Sequence, residues 1–228
     1  GYPGIIPRKV SNTMTPSLVL DATDANSYNT STTQWYDLSG NNYHVNKSNL
    51  TWSSSGSGSY YYNNVSTDFY VPELATSTMK TIEMWVKVSA FNSGMFFGFC
   101  SYDVWTGDGH IGYNSGNSDV YGISSTPVNS IGILNNLKHF VFVMSSTNYT
   151  LNKIYINGVS QVLSQQLSIQ NTNSVSLNNG CGRISGWRNS TGFSSMNFDL
   201  STFIIYPFEV SSASITQKFN QEKSKYGL

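Results

Sequence analysis

The side chains able to do chemistry are few and scattered. The glutamates are Glu73, Glu83, Glu209 and Glu222, and none has an acidic residue two or four positions away. Retaining glycoside hydrolysis needs two carboxyl groups about 5 Å apart, one as nucleophile and one as acid. Neighbours on one strand face would stand at such even spacings, and no glutamate has one. The histidines His44, His110 and His139 fall on separate stretches, with no H-x-x-x-H, C-x-x-C or nucleophile-elbow pattern. Neither a zinc centre nor an enzyme is expected, and no resident cofactor is called for. Cys100 and Cys181 are placed to bridge two strands or to stand as two buried thiols, and spacing does not decide between these.

One stretch, residues 101–122 (SYDVWTGDGHIGYNSGNSDVYG), gathers oxygen ligands and aromatic rings. Asp103, Asp108, Asn114, Asn117 and Asp119 cluster there. Asp103, Asp108 and Asp119 are the candidate calcium ligands, since a hard cation collects six to eight oxygens. Their spacing matches no defined loop motif, and Asp and Asn also make turns by bonding nearby backbone. Sugar recognition pairs an aromatic face with hydrogen-bonding side chains. Trp105, Tyr113 and Tyr121 are candidate stacking residues, and Asp108 and Asn114 candidate polar contacts. Trp187 and Arg188, in GWRNSTG, form a second candidate. The competing reading puts these aromatics in the core or at an interface.

Short strands must position these residues. Residues 80–89 alternate cleanly, with Ile82, Met84, Val86 and Val88 on one face and Thr81, Glu83, Trp85 and Lys87 on the other. Residues 94–102 and 138–145 are apolar on both faces and read as central strands. Residues 110–114 and 119–123 read as a hairpin. In residues 152–162 two β-rich runs flank Asn157–Gly158, the preferred type I′ turn pair. Further strands are expected at 17–22, 59–63, 68–71, 174–177, 182–187 and 198–206. One helix is expected, capped by Ser211 or Ser212, with Ile215 and Phe219 on its apolar face and Gly227 ending it. Residues 1–16, with Pro3, Pro7 and Pro16, read as an extended arm, and 17–228 as a single domain.

Composition bounds the partners. Charged residues make up 11% of 228, and formal net charge is zero. Nucleic acid, which needs a basic patch, is excluded as a partner, and no apolar run is long enough for membrane insertion. A neutral surface of Ser, Thr and Asn suits hydrogen-bonded contact with glycans or with other coat subunits, on a virion surface or in an extracellular setting. An AT-rich genome would enrich Asn and Tyr with no functional cause. Sequons at Asn29, Asn46, Asn49, Asn64, Asn148 and Asn189 are about as many as this composition produces by chance. No signal peptide is visible, and a start at Gly1 is expected of a processed product or a piece of a longer chain.

Four segments in order, SLVLDA with QWYDLSGNNYH, TIEMWVKVS, LKHFVFVMSSTNYTLNKIYINGVS, and residues 197–228 with FDLSTFIIY and KSKYGL, resemble the laminin-G-like branch of the concanavalin A-like superfamily. The resemblance implies an all-β, antiparallel two-sheet sandwich (jelly-roll type) with one short C-terminal helix. It implies a partner surface on one sheet face or on rim loops, and in lectins of this fold a calcium ion there. Hydrolases of the fold carry E-x-D-x-E or a near variant on one strand, which this chain lacks. Domains low in charge and rich in Asn, Ser and Thr are also similar to virion proteins of phages and large DNA viruses. The expected function is therefore a non-enzymatic structural or accessory virion protein of capsid or tail that contacts host glycans. The alternative is a carbohydrate-binding or adhesion module of a larger secreted or surface protein.

Overall fold

Alternation along residues 79–88 sets the architecture. Lys80, Ile82, Met84, Val86 and Val88 face inward and are buried, while Glu83 and Trp85 occupy the opposite face. The computed structural model describes residues 14–90, 93–99, 102–115, 119–168, 180–186 and 195–228.

In chain order the strands are β1 (Leu18–Asp21), β2 (Gln34–Trp35), β3 (Val45–Asn46), β4 (Thr51–Ser53), β5 (Ser59–Tyr62) and β6 (Thr67–Tyr70). Next come β7 (Met79–Val88), β8 (Met95–Gly98), β9 (Asp103–Trp105), β10 (Ile111–Asn114), β11 (Val120–Ile123) and β12 (Leu137–Ser145). The last are β13 (Lys153–Ile156), β14 (Val159–Ser160), β15 (Ser164–Leu167), β16 (Cys181–Ile184) and β17 (Phe198–Tyr206). A short helix α1 (Ser125–Ser130) follows β11, and α2 (Ser212–Glu222) follows β17.

Two antiparallel sheets stack as a sandwich. One has eight strands in the order β14-β13-β12-β7-β17-β5-β4, with β1 also paired to β17; the other has seven, β15-β11-β10-β9-β8-β16-β6. β17 serves two neighbours on one edge: residues 198–200 pair with β5, and residues 202–205 pair with β1. Inward side chains of both sheets, among them Phe140, Phe142, Phe203 and Ile82 from one and Phe69, Phe97, Val104 and Ile184 from the other, form a shared apolar core. Aligned sheets of this kind interdigitate their inner faces over about 10 Å.

The expected central strand β12, the β10–β11 hairpin and the terminal helix are present, whereas the strand expected at 94–102 ends at Gly98, with Phe99 N donating to Tyr102 O at 2.8 Å before β9 begins. Asn157 and Gly158 both take positive φ, 51° and 76°, as a type I′ turn demands. Ser211 caps α2 through its Oγ, which accepts from Ser214 N at 3.2 Å, and Gly227 ends the last turn at φ 73°. Helix α1 was not expected, since its six residues, STPVNS, carry too short a pattern to show a helical period. The expected strand at 174–177 and the arm at 1–13 lie outside the described residues. No helix among the described residues is long and apolar enough to cross a membrane.

Candidate functional site

The two outer sheet faces differ. On the eight-stranded sheet, α2 and the following turn lie over Trp85, which stacks on Tyr226 at a centroid distance of 4.0 Å and on Phe219 at 5.9 Å. Beside it, Glu83 is buried and accepts from His139 Nε2 at 2.9 Å, Lys218 Nζ at 2.7 Å and Tyr206 Oη at 3.2 Å. Burial alone would push this carboxyl up. The Lys218 ammonium and the His139 hydrogen bond outweigh it and hold the pKa down at about 2. An ionised carboxylate only accepts, so His139 Nε2 is the donor in this contact. Trp85 Nε1 donates to Glu222 Oε2 at 2.9 Å, tying the helix to the sheet again. This acid anchors α2 and is closed to any ligand.

Register decides where residues of the seven-stranded sheet point. Val104 pairs with Phe97 and Tyr113 on the inner side, so Asp103, Trp105, Gly112 and Asn114 face outward. Tyr113 is 0% exposed, and its hydroxyl crosses the core to Val143 O at 2.9 Å and Lys153 O at 2.7 Å. It is a core residue and offers no stacking surface. Tyr121 pairs with Tyr113 on that inner side, and its ring meets the edge of Tyr149 at the rim of the sandwich. Trp105 alone of the three faces outward. A Cβ on Gly107 would lie 2.7 Å from its ring, so the Gly107 backbone already covers part of it, and Nε1 donates to Ser93 Oγ at 3.1 Å. The three rings therefore do not converge. Trp187, Arg188, Asn117 and Cys100 lie outside the described residues; Cys181 carries a free thiol.

The acids of that stretch also separate. Asp108 is exposed in a 3-10 turn at φ 50°, the left-handed conformation that Asp tolerates in turns. Asp103 and Asp119 come near one another and are both 0% exposed. Asn114 Nδ2 donates to Asp103 Oδ2 at 3.1 Å, and Ser115 N donates to Asp119 Oδ1 at 2.9 Å. Asp103 Oδ1 has no hydrogen-bond partner among the described residues. Burial, then the Asp119 charge, raises the Asp103 pKa well above the usual carboxylate range. Acid–base hydrolysis uses paired carboxyls that substrate can reach, and both of these are sealed from solvent. The proposed calcium set of Asp103, Asp108 and Asp119 does not fit: Asp108 stands apart, and no group of three His, Cys, Asp or Glu converges among the described residues.

The accessible polar surface lies at the other end of the same sheet. Asp68 and Tyr70 alternate outward from β6, with Phe69 inward. Across the ladder Arg183 pairs with Asp68 and Cys181 with Tyr70. Arg183 Nε donates to Asp68 Oδ1 at 2.6 Å and Nη2 to Oδ2 at 3.3 Å, a bidentate ion pair. With Asn46, Ser48 and Asn49 of the β3–β4 connection, and Ser66 and Thr67, this pair lines a trough of about 270 Å³. That is near the small end of ligand clefts, which run about 300–1,000 Å³. Asn46 Oδ1 accepts from Ser48 N at 2.8 Å, which fixes the wall of the trough. The sequence reading missed this site, because Asp68 and Arg183 are 115 residues apart and carry no local motif.

No protein-family model and no curated protein matches the chain. Among solved structures the fold is similar to a Trypanosoma rangeli sialidase in complex with sialic acid, with TM-score 0.65 and 13% identity, covering 91% of this chain and 33% of that one. It is similar to the binding domain of Paraclostridial Mosquitocidal Protein 1, at 0.65 and 17%, over 91% and 52%. It is also similar to the botulinum neurotoxin type G receptor binding domain, at 0.59 and 13%, over 91% and 51%. The chain thus spans about a third of the sialidase and about half of each toxin domain. At identities this low the likeness shows a shared fold alone.

Proposed function

We propose that the chain is a non-catalytic carbohydrate-binding or adhesion module. The asymmetry of the two outer faces carries this reading. One is sealed by α2, while the other presents at its β16–β6 edge a rigid, neutral, hydrogen-bonding trough. Sites built on strands hold their geometry better than sites on loops. The acids that could serve catalysis are occupied or sealed: Glu83 by Lys218 and His139, Asp103 and Asp119 by burial. Two similar folds are binding domains, which supports a binding use for this sandwich. On a glycan array the chain retains oligosaccharide with or without EDTA and releases no shorter sugars from what it binds. Retention of no glycan, or hydrolysis of a bound one, overturns the reading.

A virion-surface setting is favoured by one feature. With 11% charged residues and zero net charge, the Ser, Thr and Asn surface suits packing against neutral coat subunits. Stoichiometric recovery with purified particles is the expected result there.

A further inference from the structure

We propose that the trough between the β3–β4 connection and the β6–β16 edge binds a neutral saccharide, with Tyr70 as the stacking platform. The proposal rests on the binding-module reading and gives that module a site and a ligand class.

Charge selects the class. Among the described residues, the charged groups lining the trough are Asp68 and Arg183, and they are joined in a bidentate pair. An acidic sugar or a phosphate requires a cation whose charge is not already matched; here Asp68 matches it. Sugar hydroxyls both donate and accept. The lining offers carboxylate acceptors, guanidinium donors, the amides of Asn46 and Asn49, and the hydroxyls of Ser48 and Ser66. Hydrogen bonds to the charged pair are about twice as strong as neutral ones, so an uncharged ligand still gains charge-assisted contacts.

Tyr70 supplies the apolar half. It is 53% exposed, on the same face of β6 as Asp68 and two residues further along, roughly 7 Å away at strand rise. A pyranose lying over its ring reaches the carboxylate and guanidinium with its hydroxyl edge. The frame is rigid: Thr67 Oγ1 and Tyr62 Oη are hydrogen-bonded at 2.7 Å beneath the trough, and Phe69 packs inward on Phe203 at 5.4 Å. A preorganised site loses little entropy on binding.

The test uses the full chain made in bacteria, so that the Asn46 and Asn49 sequons stay unmodified. An array of neutral, sialylated and sulfated oligosaccharides is followed by calorimetric titration of the best binder. Neutral glycans are expected to bind. Tyr70→Ala and Arg183→Ala weaken that binding at least about tenfold with unchanged melting, Tyr70→Phe restores it, and Trp105→Ala leaves it intact. Neutral binding that survives both Tyr70→Ala and Arg183→Ala overturns the site but leaves the module. Binding of acidic glycans alone overturns the ligand class. Retention of no glycan overturns the module and the site together.

Discussion

Each sheet buries an acid on its outer side, and the two carboxyls are shifted in opposite directions. Glu83 on the eight-stranded sheet is ionised, with three donors around it. Asp103 on the seven-stranded sheet is pushed toward its protonated form by burial and by Asp119, and its Oδ1 has no hydrogen-bond partner among the described residues. Depth of burial is the same, so burial does not decide ionisation. A cation delivered from elsewhere does: Lys218 arrives on α2, 135 residues beyond Glu83. The face that received the helix is closed by it. The other face keeps a polar pair, exposed Asp68 and partly buried Arg183, at an edge that no helix among the described residues covers.

Removing the cation breaks this contrast most severely. Lys218→Met leaves Glu83 buried with His139 and Tyr206 alone. Breaking one side of a buried ion pair costs about 3–5 kcal/mol, to be read by chemical denaturation at pH 7. Acid does the same without mutation. The folded pKa of Glu83 lies below its ordinary value of 4.5, at about 2. Its stabilisation is therefore complete above pH 4.5 and is lost as pH falls toward 2. Wild-type and Lys218→Met stabilities should converge over that window. A difference that persists at pH 2 would refute the assignment.

The opposite change at the other acid should stabilise. Asp103→Asn keeps the shape and removes the cost of ionising a buried carboxyl beside Asp119. The folded pKa of Asp103 is raised, so its contribution is full below the ordinary 3.8 and is lost as pH rises through the folded value. The variant gains about 1–3 kcal/mol at pH 8 and little at pH 4. A loss of stability at pH 8 would mean that the Asp103 charge is used there.

How much of this the sequence disclosed follows from the range of each interaction. The alternation at residues 80–89, the Asn157–Gly158 turn and the Ser211 cap are local patterns, and each stands where its pattern implies. The sandwich follows from them. The site does not, because a side chain's face depends on register between strands. Trp105 and Tyr113 are both strand aromatics, and only the pairing of Val104 with Tyr113 sends one outward and the other into the core. A one-residue slip of β10 against β9 would put the two on the same face. Tyr70 was legible as part of an aromatic strand, but its partners Asp68 and Arg183 meet only across β6 and β16. Lys80 shows the same limit. The alternation puts it inward with Ile82, yet nothing local foretold a buried lysine whose pKa burial lowers to about 8.

The smallest effect tests whether the two faces are mechanically separate. Gly158 serves the helix-covered face twice. It takes φ 76° in the turn after β13, and a Cβ there would lie 3.2 Å from Phe219 and 3.3 Å from Thr216 of α2. Thr216 Oγ1 also donates to Gly158 O at 2.8 Å. Gly158→Ala must hold alanine in a left-handed conformation and push Phe219 aside, at a cost of about 1–2 kcal/mol. Amide exchange should quicken along α2 and in the β13–β14 hairpin while β6 and β16 keep their protection, because the core lies between. Equal loss of protection at β6 and β16 would show that the helix-covered face and the polar trough open as one unit.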